Sequence, residues 1–167
     1  RLLFKELSNP TTEALGIACE AGLMRKDIVT AGLSSAPRIL PSAQHAVGEA
    51  LAAISPLFGP RTLYHGKKDG EPQAHVVLLT NPVLVFEGDV RRAALPELLY
   101  LLGSNGAGTL PEFAFAASEP LESLQTLVQA ISAAFGPVGS SAVPSSRSGT
   151  TSAAIARIGA ELWQRVQ

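Results

Sequence analysis

The sequence predicts an α+β fold, with helices packed around a small antiparallel β-meander and a C-terminal helix after a flexible linker. Three observations predict it. Apolar residues recur at three- and four-residue spacing before residue 60 and again after residue 94. Between these stretches lie three short runs of β-branched, aromatic and aliphatic residues, Thr62–His65, Ala74–Thr80 and Val83–Phe86, separated by turn formers. The 167 residues, 46% hydrophobic and 16% charged, are enough for one domain with a substantial core.

Residues 1–60 read as helical. Asn9-Pro10 is a helix start, because Asn caps and Pro loses no useful donor in the first turn, where Glu13 also suits the helix dipole. Leu15, Ile17, Ala18 and Leu23 supply an apolar face, and Gly22 lies near its end. A second short helix is expected over Arg25–Leu33, then a loop at Ser34–Pro41. Ser42–Leu57 is the clearest amphipathic helix of this half, through Val47, Ala50, Leu51, Ile54 and Leu57, and Gly59-Pro60 stops it.

Residues 61–88 read as the meander, with Gly66–Pro72 a charged hairpin loop and Asn81-Pro82 a tight turn. The runs around Val76 and Leu84 alternate poorly, which predicts strands covered on both faces. Residues 94–135 return to helix. Leu98, Leu99, Leu101 and Leu102 bury one helix, which the glycines of Gly103–Gly108 are expected to end. Glu112–Ala116 reads as a short strand or extended piece, and Ser118 and Pro120 open a helix carrying Leu121, Leu124, Leu127, Val128, Ile131 and Phe135. Residues 1–135 thus form one domain, 136–151 a Ser/Gly/Pro-rich linker, and 152–167 a helix with Ile155, Ile158, Leu162, Trp163 and Val166 on its apolar side. The start at Arg1 and the stop inside that helix read as a segment excised from a longer protein.

Composition excludes several function classes. A net charge of −1 with scattered lysines and arginines offers no basic stripe for a nucleic acid. No apolar run reaches the ~18–20 residues that span a bilayer, and no signal peptide is visible. Cys19 is the single cysteine and reads as a small packed hydrophobe. A reducing cytoplasm is the expected compartment.

Candidate chemistry is sparse. His45, His65 and His75 lack zinc-ligand spacing; His65 and His75 flank the expected hairpin, with Asp69 and Glu71 the only candidate helpers for a metal, while Glu87 or Asp89 could join the two histidines in a non-standard catalytic constellation. Gly103-Ser104-Asn105-Gly106 falls short of a nucleophile elbow. The same glycines lack the lysine of a phosphate loop and end a helix, where the dipole disfavours anions. Arg91 and Arg92 are expected to pair with Glu87 or Asp89 at the surface.

The order of helices, β-hairpin, NPVLVFEG and then PELLYLLGSNGAG resembles the core of HExxH zinc endopeptidases of the heat-shock and CAAX-processing type. In that family an apolar strand precedes a helix of the form ELxxVLGHELGH. Matching Glu97, Leu98 and Leu102-Gly103 puts Ser104 and Gly108 at the zinc-histidine positions and Asn105 at the catalytic glutamate. None of the three can ligate zinc or take a proton from water. The stretch is also similar to degenerate domains of large tetratricopeptide-containing proteins of predatory and gliding bacteria, where a helix near ELxFLLGR precedes a Pro-Glu pair, as Pro111-Glu112 stands here.

The resemblance implies no catalytic, cofactor or metal residues. It implies a non-catalytic scaffold or protein-interaction module of a larger bacterial protein, partnered by another protein or by neighbouring domains. Two alternatives stand beside it: a hydrolase with a non-standard site near His65 and His75, and a bacterial signalling adaptor or helical-repeat segment.

Overall fold

A computed structural model describes residues 10–135; the expected linker and C-terminal helix lie outside the described residues. The α+β class holds. Five helices, α1 (Pro10–Glu20), α2 (Ala46–Phe58), α3 (Leu95–Ala107), α4 (Pro111–Ser118) and α5 (Leu121–Phe135), accompany four strands, β1 (Arg38–Ile39), β2 (Leu63–His65), β3 (Gln73–Leu78) and β4 (Pro82–Glu87).

The sheet is mixed, in the order β1-β2-β4-β3, and not an antiparallel meander. β3 and β4 form the expected antiparallel hairpin, with Val76 opposite Leu84. β2 instead lies parallel to β4 on its other side, with Tyr64 opposite Val85, and β1 pairs antiparallel with β2. Gly66–Pro72 is therefore a crossover past the end of β4 and not a hairpin loop. Backbone bonds fix it there: Gly66 N–H donates to the Phe86 carbonyl and Gly88 N–H to the Lys67 carbonyl, both at 2.8 Å. Gly88 takes φ 108°, and a Cβ there would lie 2.8 Å from the Glu71 carbonyl oxygen.

Both faces of the sheet are covered, which is why β4 reads as a continuous apolar run. One face packs Leu63, Val76, Leu84 and Phe86 against Val47, Leu51 and Ile54 of α2 and Leu98 and Leu102 of α3. The other carries Tyr64, Val83 and Val85 under Leu33 of the preceding connection. A second core, around Leu15, Leu78, Phe115 and Leu127, joins α1, α4 and α5 to the end of β3.

Local chemistry explains the remaining differences. Residues 25–33 form a single turn and not a helix. The Asp27 carboxylate takes the N–H groups of Val29 and Thr30 at 2.9 and 2.8 Å and the Thr30 hydroxyl at 2.5 Å. Leu33 N–H closes the turn on the Ile28 carbonyl at 2.9 Å. α1 ends as expected, with Gly22 at φ 82° and Leu23 N–H bonded to the Ala18 carbonyl at 3.1 Å. β1 lies within the stretch read as helix and loop; two residues are too few to show a period.

α3 does not stop at its glycines. It runs through Gly103 and Gly106 to Ala107, with Gly108 as its C-cap. Burial of Leu98 and Leu102 outweighs the roughly 1 kcal/mol that each interior glycine costs. The segment expected to be extended at Glu112–Ala116 is helix α4. Pro111 in its first turn and Glu112 behind it form a helix start, and Ala114 and Phe115 are fully buried.

Candidate functional site

α3 carries Ser104, Asn105 and Gly108, which the resemblance alone sets against zinc-enzyme positions, and here each serves the helix or its packing. The Ser104 hydroxyl and the Asn105 amide both donate to the Leu101 carbonyl, at 3.1 and 2.9 Å. Ser104 is exposed, whereas Gly108 is buried. A Cβ at Gly108 would stand 2.5 Å from the Ala117 Cβ and 3.1 Å from Val76 Cγ2. An imidazole at that position would have to push α4 and β3 away. Gly106 is just as close: a Cβ there would lie 2.7 Å from the Phe58 ring. The glycines let α3 approach α2 and α4, and the donor set of this turn does not fit a zinc ion. Thr109, the buried polar residue beside it, donates its hydroxyl to the Gly106 carbonyl at 2.7 Å.

The structure does not bring His65 and His75 together. His65 stands opposite Phe86 and His75 opposite Val85, so their side chains leave opposite faces of the sheet. β4 also lies between their strands, which puts the two backbones about 9–10 Å apart. His65 Nε2–H donates to the Gly88 carbonyl at 3.0 Å, with its ring centroid 5.7 Å from that of Phe86. His75 is exposed. His45 is used by its own backbone: its Nδ1 accepts from Gly48 N–H at 3.2 Å and caps α2. Among the described residues no three His, Cys, Asp or Glu side chains are grouped to hold a metal ion.

The carboxylates are similarly occupied or exposed. Asp89 accepts from Arg91 N–H at 2.9 Å, and its other oxygen lies 3.6 Å from Arg92 Nε, in the expected surface pair. Asp69 and Glu71 are exposed in the crossover. Asp27 is held below the usual carboxylate range, chiefly by the Thr30 hydroxyl and then by the Thr30 backbone N–H. A partly buried ion pair joins Lys26 Nζ to Glu119 Oε1 at 3.1 Å and ties the α1–β1 connection to the end of α4.

Cys19 is buried in the α1–α4–α5 core, and burial pushes its thiol up, away from the reactive thiolate. Arg61 Nε is buried with no hydrogen-bond partner among the described residues, and burial lowers its pKa, although a guanidinium stays charged at working pH.

One concavity was not anticipated. A groove of about 160 Å3 runs between α1 and α5, lined by Thr11, Ala14, Leu15, Val128, Ile131 and Ser132. The signal in the sequence was a surplus. α5 carries more apolar residues than α1 and α4 cover, and Ile17, assigned to the buried face of α1, is 55% exposed.

Comparison with protein-family models, with curated proteins and with solved structures finds no match. No helix among the described residues is long and apolar enough to cross a membrane.

Proposed function

We propose that this chain is a non-catalytic, peptidase-like scaffold or protein-interaction module of a larger bacterial protein, working in the cytoplasm beside neighbouring domains or a protein partner. One observation carries the reading: the helix that would present zinc ligands presents packing surface. Ser104 and Asn105 are bonded back to Leu101, and Gly108 is closed over by Ala117 and Val76. The helix keeps its place without a metal, because Leu98 and Leu102 are fully buried and each contributes roughly 1.5–3 kcal/mol. The hydrolase reading loses its support, since His65 and His75 stand on opposite faces of the sheet.

The test is a peptidase assay on the purified chain, with unstructured casein, in the presence of zinc and then of a chelator. The reading expects no cleavage above a heat-denatured control in either condition. Chelator-sensitive cleavage that co-purifies with the protein would overturn it.

A further inference from the structure

α2 and α3 lie side by side on one face of the sheet, and the surface they turn away from it is almost without charge. Each helix carries one ionised residue, Glu49 or Glu97, in its first turn, and neither carries a lysine or an arginine. On that surface Leu57 is 64% exposed and Tyr100 74% exposed. A surface helix ordinarily sets charged and polar residues opposite its apolar stripe. An exposed apolar face in their place marks a contact. We propose that the α2–α3 face is where two copies of this chain meet, in a two-fold dimer that seats Tyr100 of each copy in the α3 surface of the other.

Shape selects the partner. Tyr100, Gly103, Ser104 and Ala107 stand at i, i+3, i+4 and i+7, so they surround one hole on the outer side of α3. The hole is open, because a Cβ at Gly103 would meet nothing within 4 Å. The Ser104 hydroxyl already donates to the Leu101 carbonyl at 3.1 Å, so covering it orphans no donor. A projecting ring therefore stands one turn from a vacant hole on the same helix face. With two α3 helices antiparallel about a two-fold axis between ring and hole, each ring enters the other's hole. That reciprocity is what an isologous contact requires.

Charge points the same way. Near a two-fold axis each residue meets its own copy, so a charged face would repel itself; Tyr100, Gly103, Ser104 and Ala107 carry no charge. A partner of either sign would find no complementary charge on these helices. A bilayer surface calls for lysine or arginine beside the apolar residues, and these helices have none. Two helices of 13 residues present a face about 20 Å on a side. That is smaller than the roughly 800 Å2 each partner gives to a standard complex. The dimer is accordingly weak, with a dissociation constant of about 10–100 µM.

The inference does not rest on the peptidase-like reading, and cleavage of casein would leave it standing. Sedimentation velocity on the full chain, from about 2 to 500 µM, tests it for wild type, Tyr100→Glu, Gly103→Gln and Leu121→Lys. Gly103→Gln fills the hole without adding charge, and Leu121 is a 67% exposed residue of α5, away from the face. Tyr100 is exposed and Gly103 open, so both variants keep the wild-type circular dichroism. Wild type and Leu121→Lys should pass from monomer to dimer over this range, while Tyr100→Glu and Gly103→Gln each raise the dissociation constant about tenfold or more. Wild type that stays monomeric at the highest concentration would overturn the inference and leave the face to another protein or a neighbouring domain. Association that survives Tyr100→Glu or Gly103→Gln, that is lost in Leu121→Lys, or that grows beyond a dimer would overturn it as well.

Discussion

Alanine substitutions at the three glycines of α3 should differ in sign and size, because each glycine meets a different neighbour. A Cβ at Gly103 would touch nothing within 4 Å. Gly103→Ala therefore gains only helix propensity and should stabilise by about 0.5–1 kcal/mol. At Gly106 the added methyl would lie 2.7 and 2.9 Å from Phe58 Cδ2 and Cε2, about 1 Å inside normal carbon contact. The half-buried Phe58 ring can swing, so the propensity gain offsets part of the overpacking, leaving Gly106→Ala destabilised by about 1 kcal/mol. At Gly108 the clash is with the Ala117 Cβ at 2.5 Å, which no side-chain rotation relieves. α4 itself must shift, and Gly108→Ala should cost about 2–3 kcal/mol. Urea denaturation followed by circular dichroism reads the series, and at this chain length each kcal/mol moves the melting temperature by about 2–4 °C. A Gly108→Ala protein as stable as Gly103→Ala would refute the claim that Gly108 is there for close packing.

Other outcomes follow from the same structure. His45→Ala removes the Nδ1 acceptor that caps α2 and should cost about 1 kcal/mol, while His45→Asp should recover it, as judged by thermal melts. Phe115→Ala empties the centre of the α1–α4–α5 core and should cost about 3–5 kcal/mol by urea titration. Cys19 should react with iodoacetamide only as fast as the chain opens. Because burial raises its pKa, the unfolded chain loses the thiol proton first, so Cys19 contributes most below the ordinary thiol pKa and less as pH rises through it. The stability advantage of wild type over Cys19→Ala should therefore shrink from neutral pH to about pH 10.

Long periodic segments were legible in the sequence. α2 and α5 announce themselves by spacing, and the β3–β4 hairpin by two apolar runs around Asn81-Pro82. What was not legible depended on partners distant in the chain. β1 has two residues and no pattern of its own; it exists because β2 offers an edge. The parallel pairing of β2 with β4 follows from the crossover fastened at Gly88, which no local rule encodes. Gly103–Gly108 reads as a stop by propensity alone, but at Gly106 and Gly108 the helices α2 and α4 pack so close that glycine is what fits. The pattern after Arg25 that looked helical yields one turn only: Asp27 caps its start, and Gly32 at φ 69° with Leu33 N–H on the Ile28 carbonyl ends it. For the candidate site, the absence of ligand chemistry at Ser104, Asn105 and Gly108 was readable from residue types. The separation of His65 from His75 was not, because it rests on a register that places them on opposite faces of the sheet.

Zinc stoichiometry tests the central claim most directly. The purified full chain, equilibrated with excess zinc and passed through a desalting column, is analysed for metal by inductively coupled plasma mass spectrometry, with its melting temperature measured alongside. If α3 supplies packing surface and no ligands, zinc stays far below one per chain and the melting temperature does not move. One tightly held zinc per chain, accompanied by a rise in melting temperature, would contradict it.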